Sequence, residues 1–202
     1  MYWWEREFEE WWNHSGQKDT TDFQRSRLYD SERAVNVVYK DRLPTFESIK
    51  DIEKYVKRLT RYAWFVRRFG KCSISIIPRR DGSWASGWCS GKSTKSRRFG
   101  HIKVPKSMWR LDHILHEVAH SVLPGRVGAP HGRLFARALL EIYRMALPKS
   151  IAKEYHDMLK NEFKKHNVKI NPRRQLSDET RQKLRDNFIT NALAVKEAAK
   201  EG

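Results

Sequence analysis

The run His116-Glu117-Val118-Ala119-His120 constrains this chain more than any other stretch. The residues around it, Met108 to Leu123, have the apolar period of one helix, with Ile114, Leu115, Val118, Ala119 and Val122 on its buried side. Residues four apart share a helix face, so His116 and His120 present two imidazoles to one point. Zinc takes imidazole nitrogens at ~2.0–2.1 Å, and a catalytic zinc keeps three protein ligands and one open position. Glu117 follows the first ligand directly. Its carboxylate stands beside the open position, where it can act as general base on a zinc-bound water. A pair of surface histidines at helical spacing is the plain alternative, and it leaves the apolar face of this helix unexplained.

Such a site needs a third ligand. After His120 come a loop, Pro124 to Pro130, and then His131-Gly132-Arg133-Leu134-Phe135, which opens a further helix. A histidine at that position can swing back toward the metal, and His131 is the preferred third ligand. His113, one turn before His116, converges less well. Asp112 and Glu141 stay open as carboxylate alternatives, Glu141 also as a partner of a ligand. The expected set is therefore Zn2+ on His116, His120 and His131 with Glu117 catalytic, and the expected chemistry is hydrolysis of a peptide or amide bond. No oxyanion stabiliser stands out; Tyr143 and His101 are the candidates.

Upstream of this helix the pattern changes twice. Trp4, Phe8, Trp11 and Trp12 share a face of a short helix whose other face is glutamate. A second helix is expected from a Thr21 or Asp22 cap, with Phe23, Leu28, Val35, Val38 and Tyr39 as its stripe and Pro44 as its stop. A third, capped by Thr45, is expected to run through Phe46, Ile52, Val56 and Leu59 to Phe69, where Gly70 ends it. Residues 72–78 read as a strand, Asp81-Gly82 as a hairpin turn, and 83–89 as its return strand with Trp84 and Trp88 on one face. His101 to Pro105 is a short third strand, expected at the sheet edge, and Ser107 is the expected cap of the metal helix. Helices follow at about 133–147 and 150–166, and a last one starts at Ser177. This order is α+β: a small antiparallel sheet of about three strands packed on the His-Glu helix and other helices. The expected division is an aromatic extension at 1–20, a catalytic domain at 21–147 and a helical extension at 148–202.

The net charge of +17 is concentrated. Residues 57–110 carry 15 Lys and Arg against one acid, Asp81. Massed positive charge suits a polyanion, although a solubilising surface has the same composition. Lys92, Lys95, Arg97 and Arg98 lie among Trp84, Trp88, Phe99 and Trp109. Cations interleaved with aromatics suit single-stranded nucleic acid, through phosphate neutralisation and base stacking. Lys92, Lys95, Arg97, Arg98 and Trp88 are the candidate contacts. The acidic start, with Glu5, Glu7, Glu9 and Glu10, does not read as a signal peptide. No apolar run reaches the ~20 residues a membrane span needs. The two cysteines, Cys72 and Cys89, are expected as thiols in the cytoplasm.

His-Glu-Val-Ala-His followed by His-Gly-Arg-Leu-Phe resembles the SprT-like zinc metallopeptidases of the zincin superfamily. The wider chain is similar to a family of metallohydrolases found in actinobacteria and their phages. Asp22-Phe23-Gln24-Arg25, Tyr29 and Glu32, the Ile102–Pro105 strand, and Leu115 to Phe135 carry that likeness. It implies a minimal zincin fold with zinc on His116, His120 and His131, Glu117 catalytic, and a protein or peptide substrate on or near DNA, single-stranded favoured. Two other readings compete. One is a nucleic-acid- or partner-binding protein with a structural zinc, which would have no use for Glu117. The other is a phage or host-interaction factor directed at one protein.

Overall fold

The computed structural model describes residues 22, 24–89, 98–123 and 130–170. The aromatic helix at 1–20, most of the basic loop and the helix from Ser177 lie outside them. Among the described residues, six helices and a three-stranded sheet make an α+β fold. In chain order they are α1 Arg25–Tyr39, α2 Ile49–Leu59, α3 Ala63–Phe69, β1 Cys72–Arg79, β2 Ser86–Cys89, β3 Arg98–Pro105, α4 Leu111–Val122, α5 Arg133–Ala146 and α6 Lys149–Lys165.

The sheet is mixed rather than antiparallel. Its order is β1-β3-β2, with β3 parallel to β1 and antiparallel to β2. A turn does form at Arg80–Ser83, with Gly82 at φ 81°. It reverses the chain without pairing β1 to β2, because β3 lies between them. Burial fits this order: Ile102 and Val104 of the central strand β3 are both 0 % exposed. The His101–Pro105 segment is therefore central and not an edge. Among the described residues the edges are β1 and β2. Trp84 precedes β2 and is 82 % exposed, so it does not share a strand face with Trp88.

The helix expected over 46–69 is two helices. Phe65 lies about 240° round a continuous helix from Leu59, so one straight helix would bury only one of them. The break at Thr60–Tyr62 re-aims the chain, and Leu59, Phe65 and Phe69 are all buried. Gly70 ends α3 at φ 80°, as a glycine there should. Ser48, not Thr45, caps α2: its Oγ accepts from the Asp51 N–H at 3.2 Å. Thr45 instead forms a β-bridge with Arg110. That bridge fixes the start of α4, since the Leu111 N–H donates to the Pro44 carbonyl at 2.9 Å. Lys106–Met108 form a 3-10 turn, and Ser107 is no cap.

Helix α4 packs on the sheet on one side and on α5 on the other. Leu111, Ile114, Leu115, Val118 and Val122 are buried, each contributing about 1.5–3 kcal/mol by leaving water. Tyr143, Tyr155, Leu159 and Phe163 carry the same core into α5 and α6. Helix α1 closes it with Leu28, Val35 and Tyr39, while Val38, expected on that stripe, is exposed.

Candidate metal centre

Three histidines from two segments converge on one point. Helix α4 supplies His116 and His120 from one face, and His131 stands just before the α5 N-cap, Gly132. Ligand nitrogens of the three imidazoles lie within 4.8 Å of one another. His120 Nε2 and His131 Nε2 are 3.2 Å apart. Two nitrogens of a tetrahedral zinc, each ~2.0–2.1 Å from the ion, stand about 3.3–3.4 Å apart. His116 and His131 are nearly buried, and His120 is half-buried.

Helix α1 orients these rings. Glu32, itself buried, accepts from His116 Nδ1 at 2.9 Å and from the Tyr143 hydroxyl at 2.8 Å. Asp22 accepts from His131 Nδ1 at 2.7 Å and from its backbone N–H at 3.3 Å. Both carboxylates hold the proton on Nδ1 and leave the Nε2 lone pair facing the cluster. Gln24, 0 % exposed, donates to the His131 carbonyl at 2.9 Å and accepts from the Lys169 N–H at 2.9 Å. Phe135 packs on all three rings, stacked on His120 at 4.2 Å.

Among the described residues, four buried side-chain atoms have no hydrogen-bond partner: Trp109 Nε1, His113 Nδ1, His116 Nε2 and Glu117 Oε2. Buried polar atoms are almost always paired, and the unpaired His116 Nε2 lies within the three-imidazole cluster, which marks a place for a further body there. The donor set, three imidazoles of which His116 and His131 have Nδ1 already committed, fits a metal ion.

Burial favours the neutral, metal-binding form of two of the three rings. Burial, and then the neighbouring His116 and His131, holds His120 well below its usual pKa. Burial also lowers His131, against the pull of Asp22. Burial disfavours the charged form of His116, but Glu32 outweighs it and raises that pKa. Burial raises Glu117, opposed by His116 and by the Gly87 N–H that donates to its carboxylate. The result moves Glu117 toward the range of a useful general base.

The other candidates are engaged elsewhere. Asp112 is held by Arg110 at 2.6 Å through both oxygens, and Glu141 pairs with Arg68. Neither carboxylate is a ligand. His113 lies outside the three-histidine cluster, 3.8 Å from Asp112. Tyr143 is fully buried on Glu32 and the Asp112 carbonyl, which removes it as an oxyanion donor. His101 donates to or accepts from Ser75 Oγ at 2.7 Å and stacks on Trp88.

His101 and Trp88 lie on the sheet face turned away from α4. Gly87 and Gly100 point toward that helix, so the alternating residues Trp88, Phe99, His101 and Lys103 point away. Trp88 and Phe99 are exposed there, and Lys103 Nζ sits 5.2 Å from the Trp88 ring centre. Trp109 packs against the core instead. Lys92, Lys95 and Arg97 lie outside the described residues, and only the backbone of Arg98 is described.

No protein-family model, curated protein or solved structure matches this chain.

Glu32→Gln tests the orienting network. One oxygen becomes a donor facing two donors, so metal affinity should fall roughly 10–100-fold. Competition against a chromophoric chelator reads this directly, and an unchanged affinity would remove Glu32 from the site.

Proposed function

We propose that this chain is a zinc-dependent peptidase related to the SprT-like group, with His116, His120 and His131 as ligands and Glu117 as general base. The observation that carries this reading is the cluster of three imidazoles together with a buried, unpaired oxygen on Glu117, the residue that follows His116. A structural site would use its carboxylate as a ligand or do without it. Zinc bound to the three imidazoles would polarise a scissile carbonyl and acidify a water at the open position. Glu117 takes the proton of the attacking water and returns it to the leaving nitrogen. Gly87 holds the Glu117 carboxylate through its N–H, and Glu32 and Asp22 hold the Nδ1 protons of His116 and His131 so that each Nε2 is left for the metal. Edge strand β2, which carries Gly87, can pair with an extended peptide alongside Glu117.

The test is cleavage of dye-quenched casein by zinc-loaded protein. Cleavage that o-phenanthroline stops and zinc restores supports the reading. A protein that binds zinc stoichiometrically and cleaves no unfolded substrate contradicts it.

The outer sheet face favours a nucleic-acid partner as an accessory role. Exposed Trp88 and Phe99 with Lys103 offer bases a stacking surface and phosphates a cation. Binding of a thymine-only DNA strand should fall steeply with salt. Trp88→Ala should weaken it about tenfold or more, since one stack contributes ~1–3 kcal/mol. Fluorescence anisotropy across a salt series checks both, and salt-independent binding would contradict the role. Among the described residues no helix is long and apolar enough to cross a membrane, and Cys72 and Cys89 are buried. The site of action in this reading is the cytoplasm.

A further inference from the structure

Peptide hydrolysis needs one more part than the ligands and the base. Negative charge develops on the former carbonyl oxygen, and a donor placed for that oxygen contributes more than most groups in such a site. Tyr143 and His101 are turned elsewhere, so the donor has to be sought among the groups that border the three imidazoles.

Tyr29 borders them. It lies on α1, one turn before the buried Glu32. Its ring stacks on His116 at 5.4 Å with 16° between planes and tilts against His131 at 5.1 Å. Its hydroxyl lies 3.2 Å from His131 Nε2. With the His131 proton on Nδ1 toward Asp22, Nε2 is an acceptor, so the Tyr29 O–H donates to it. A metal ion takes that same lone pair. The hydroxyl then loses its acceptor while still beside the ion's binding position, and the nearest new acceptor is an oxygen held there.

We propose that Tyr29 is the hydrogen-bond donor that stabilises the oxyanion in the peptidase reaction. The proposal rests on the peptidase reading above. Water oxygen bonds to the carbonyl carbon, the C=O π pair moves to oxygen, and Glu117 takes the water proton. The Tyr29 O–H donates to the new oxyanion and keeps its proton. When the pair returns, the C–N bond breaks and Glu117 delivers the proton to nitrogen. Burial, with Glu117 and Glu32 nearby, pushes the Tyr29 pKa up to about 12, so the hydroxyl stays a donor throughout the neutral range. The Arg25 guanidinium, 5.7 Å from the ring centre, sits one helical turn away.

Tyr29→Phe in the full chain separates this role from two others, a metal ligand and a mere packing residue. Three quantities are read: zinc affinity by chelator competition, kcat and KM on dye-quenched casein, and acetohydroxamate affinity from the visible spectrum of the cobalt(II)-loaded protein. Zinc affinity should stay within about twofold and KM within about threefold, while kcat drops roughly 10²–10³-fold. Acetohydroxamate, which presents an anionic oxygen at the ion, should bind about ten- to a hundredfold more weakly. Zinc affinity that falls in step with kcat would make Tyr29 a ligand and overturn the proposal. Unchanged kcat and unchanged acetohydroxamate affinity would make it packing and overturn it too. The cobalt measurement needs no turnover. If wild type cleaves no substrate, the peptidase reading fails alone, and equal acetohydroxamate binding by both proteins then also overturns the Tyr29 role.

Discussion

Glu117→Gln is expected to bind zinc as tightly as wild type and to lose peptide cleavage by about 10²–10⁴-fold, the share of a positioned general base. The substitution keeps the side chain's shape, and the amide oxygen can still accept from the Gly87 N–H. It removes the proton acceptor and the negative charge it carries. The same change has a second, opposite-signed effect. Burial raises the Glu117 pKa, so in metal-free protein the ionised carboxylate costs stability once the pH is above its unfolded value. That cost grows as pH rises toward the folded pKa and is complete above it. Neutral Gln escapes it, and metal-free Glu117→Gln should melt at or above the wild-type temperature at neutral pH. Scanning calorimetry and the casein assay read the two effects on one preparation. Cleavage within tenfold of wild type would mean that another group takes the proton.

Gly87→Ala is the largest expected structural effect. A Cβ built there meets the Glu117 carbonyl oxygen at 2.3 Å, its carbon at 3.0 Å and Glu117 Oε2 at 3.0 Å. Two of those atoms are helix backbone and cannot turn aside. Strand β2 must move off α4, giving up both packing and the N–H bond to the Glu117 carboxylate. Overpacking of this kind costs about 1–3 kcal/mol or more, and activity should be lost with it. Gly82→Ala is the control. Gly82 has nothing within 4 Å and only its φ of 81° to defend, so the cost there is roughly 1 kcal/mol. Urea unfolding compares them, and a Gly87→Ala protein as stable as wild type would contradict the close approach of β2 to Glu117.

The helix with the two histidines was legible because its signal is local: the ligands and the apolar face that buries them lie within twelve residues. His131 was legible through its loop-then-helix setting. What holds the ligands was not. Glu32 lies 84 residues from His116, and Asp22 lies 109 from His131. No spacing rule reaches that far. These residues carried the family likeness, but their types alone gave them no role. One local signal did exist: Gln24, Leu28, Glu32 and Val35 fall on one helical stripe and are all buried. Two polar residues on an apolar stripe require buried partners. Sheet order was illegible for a different reason. Asp81-Gly82 specifies a chain reversal, and which strand then fills the middle depends on burial across the whole core.

Zinc K-edge X-ray absorption on the zinc-loaded full chain reads the ligand set itself. One zinc per chain is expected, with three imidazole nitrogens at ~2.0–2.1 Å and one light, non-protein oxygen in the fourth position. A sulfur shell at ~2.3 Å, or four protein ligands with no open position, would contradict it.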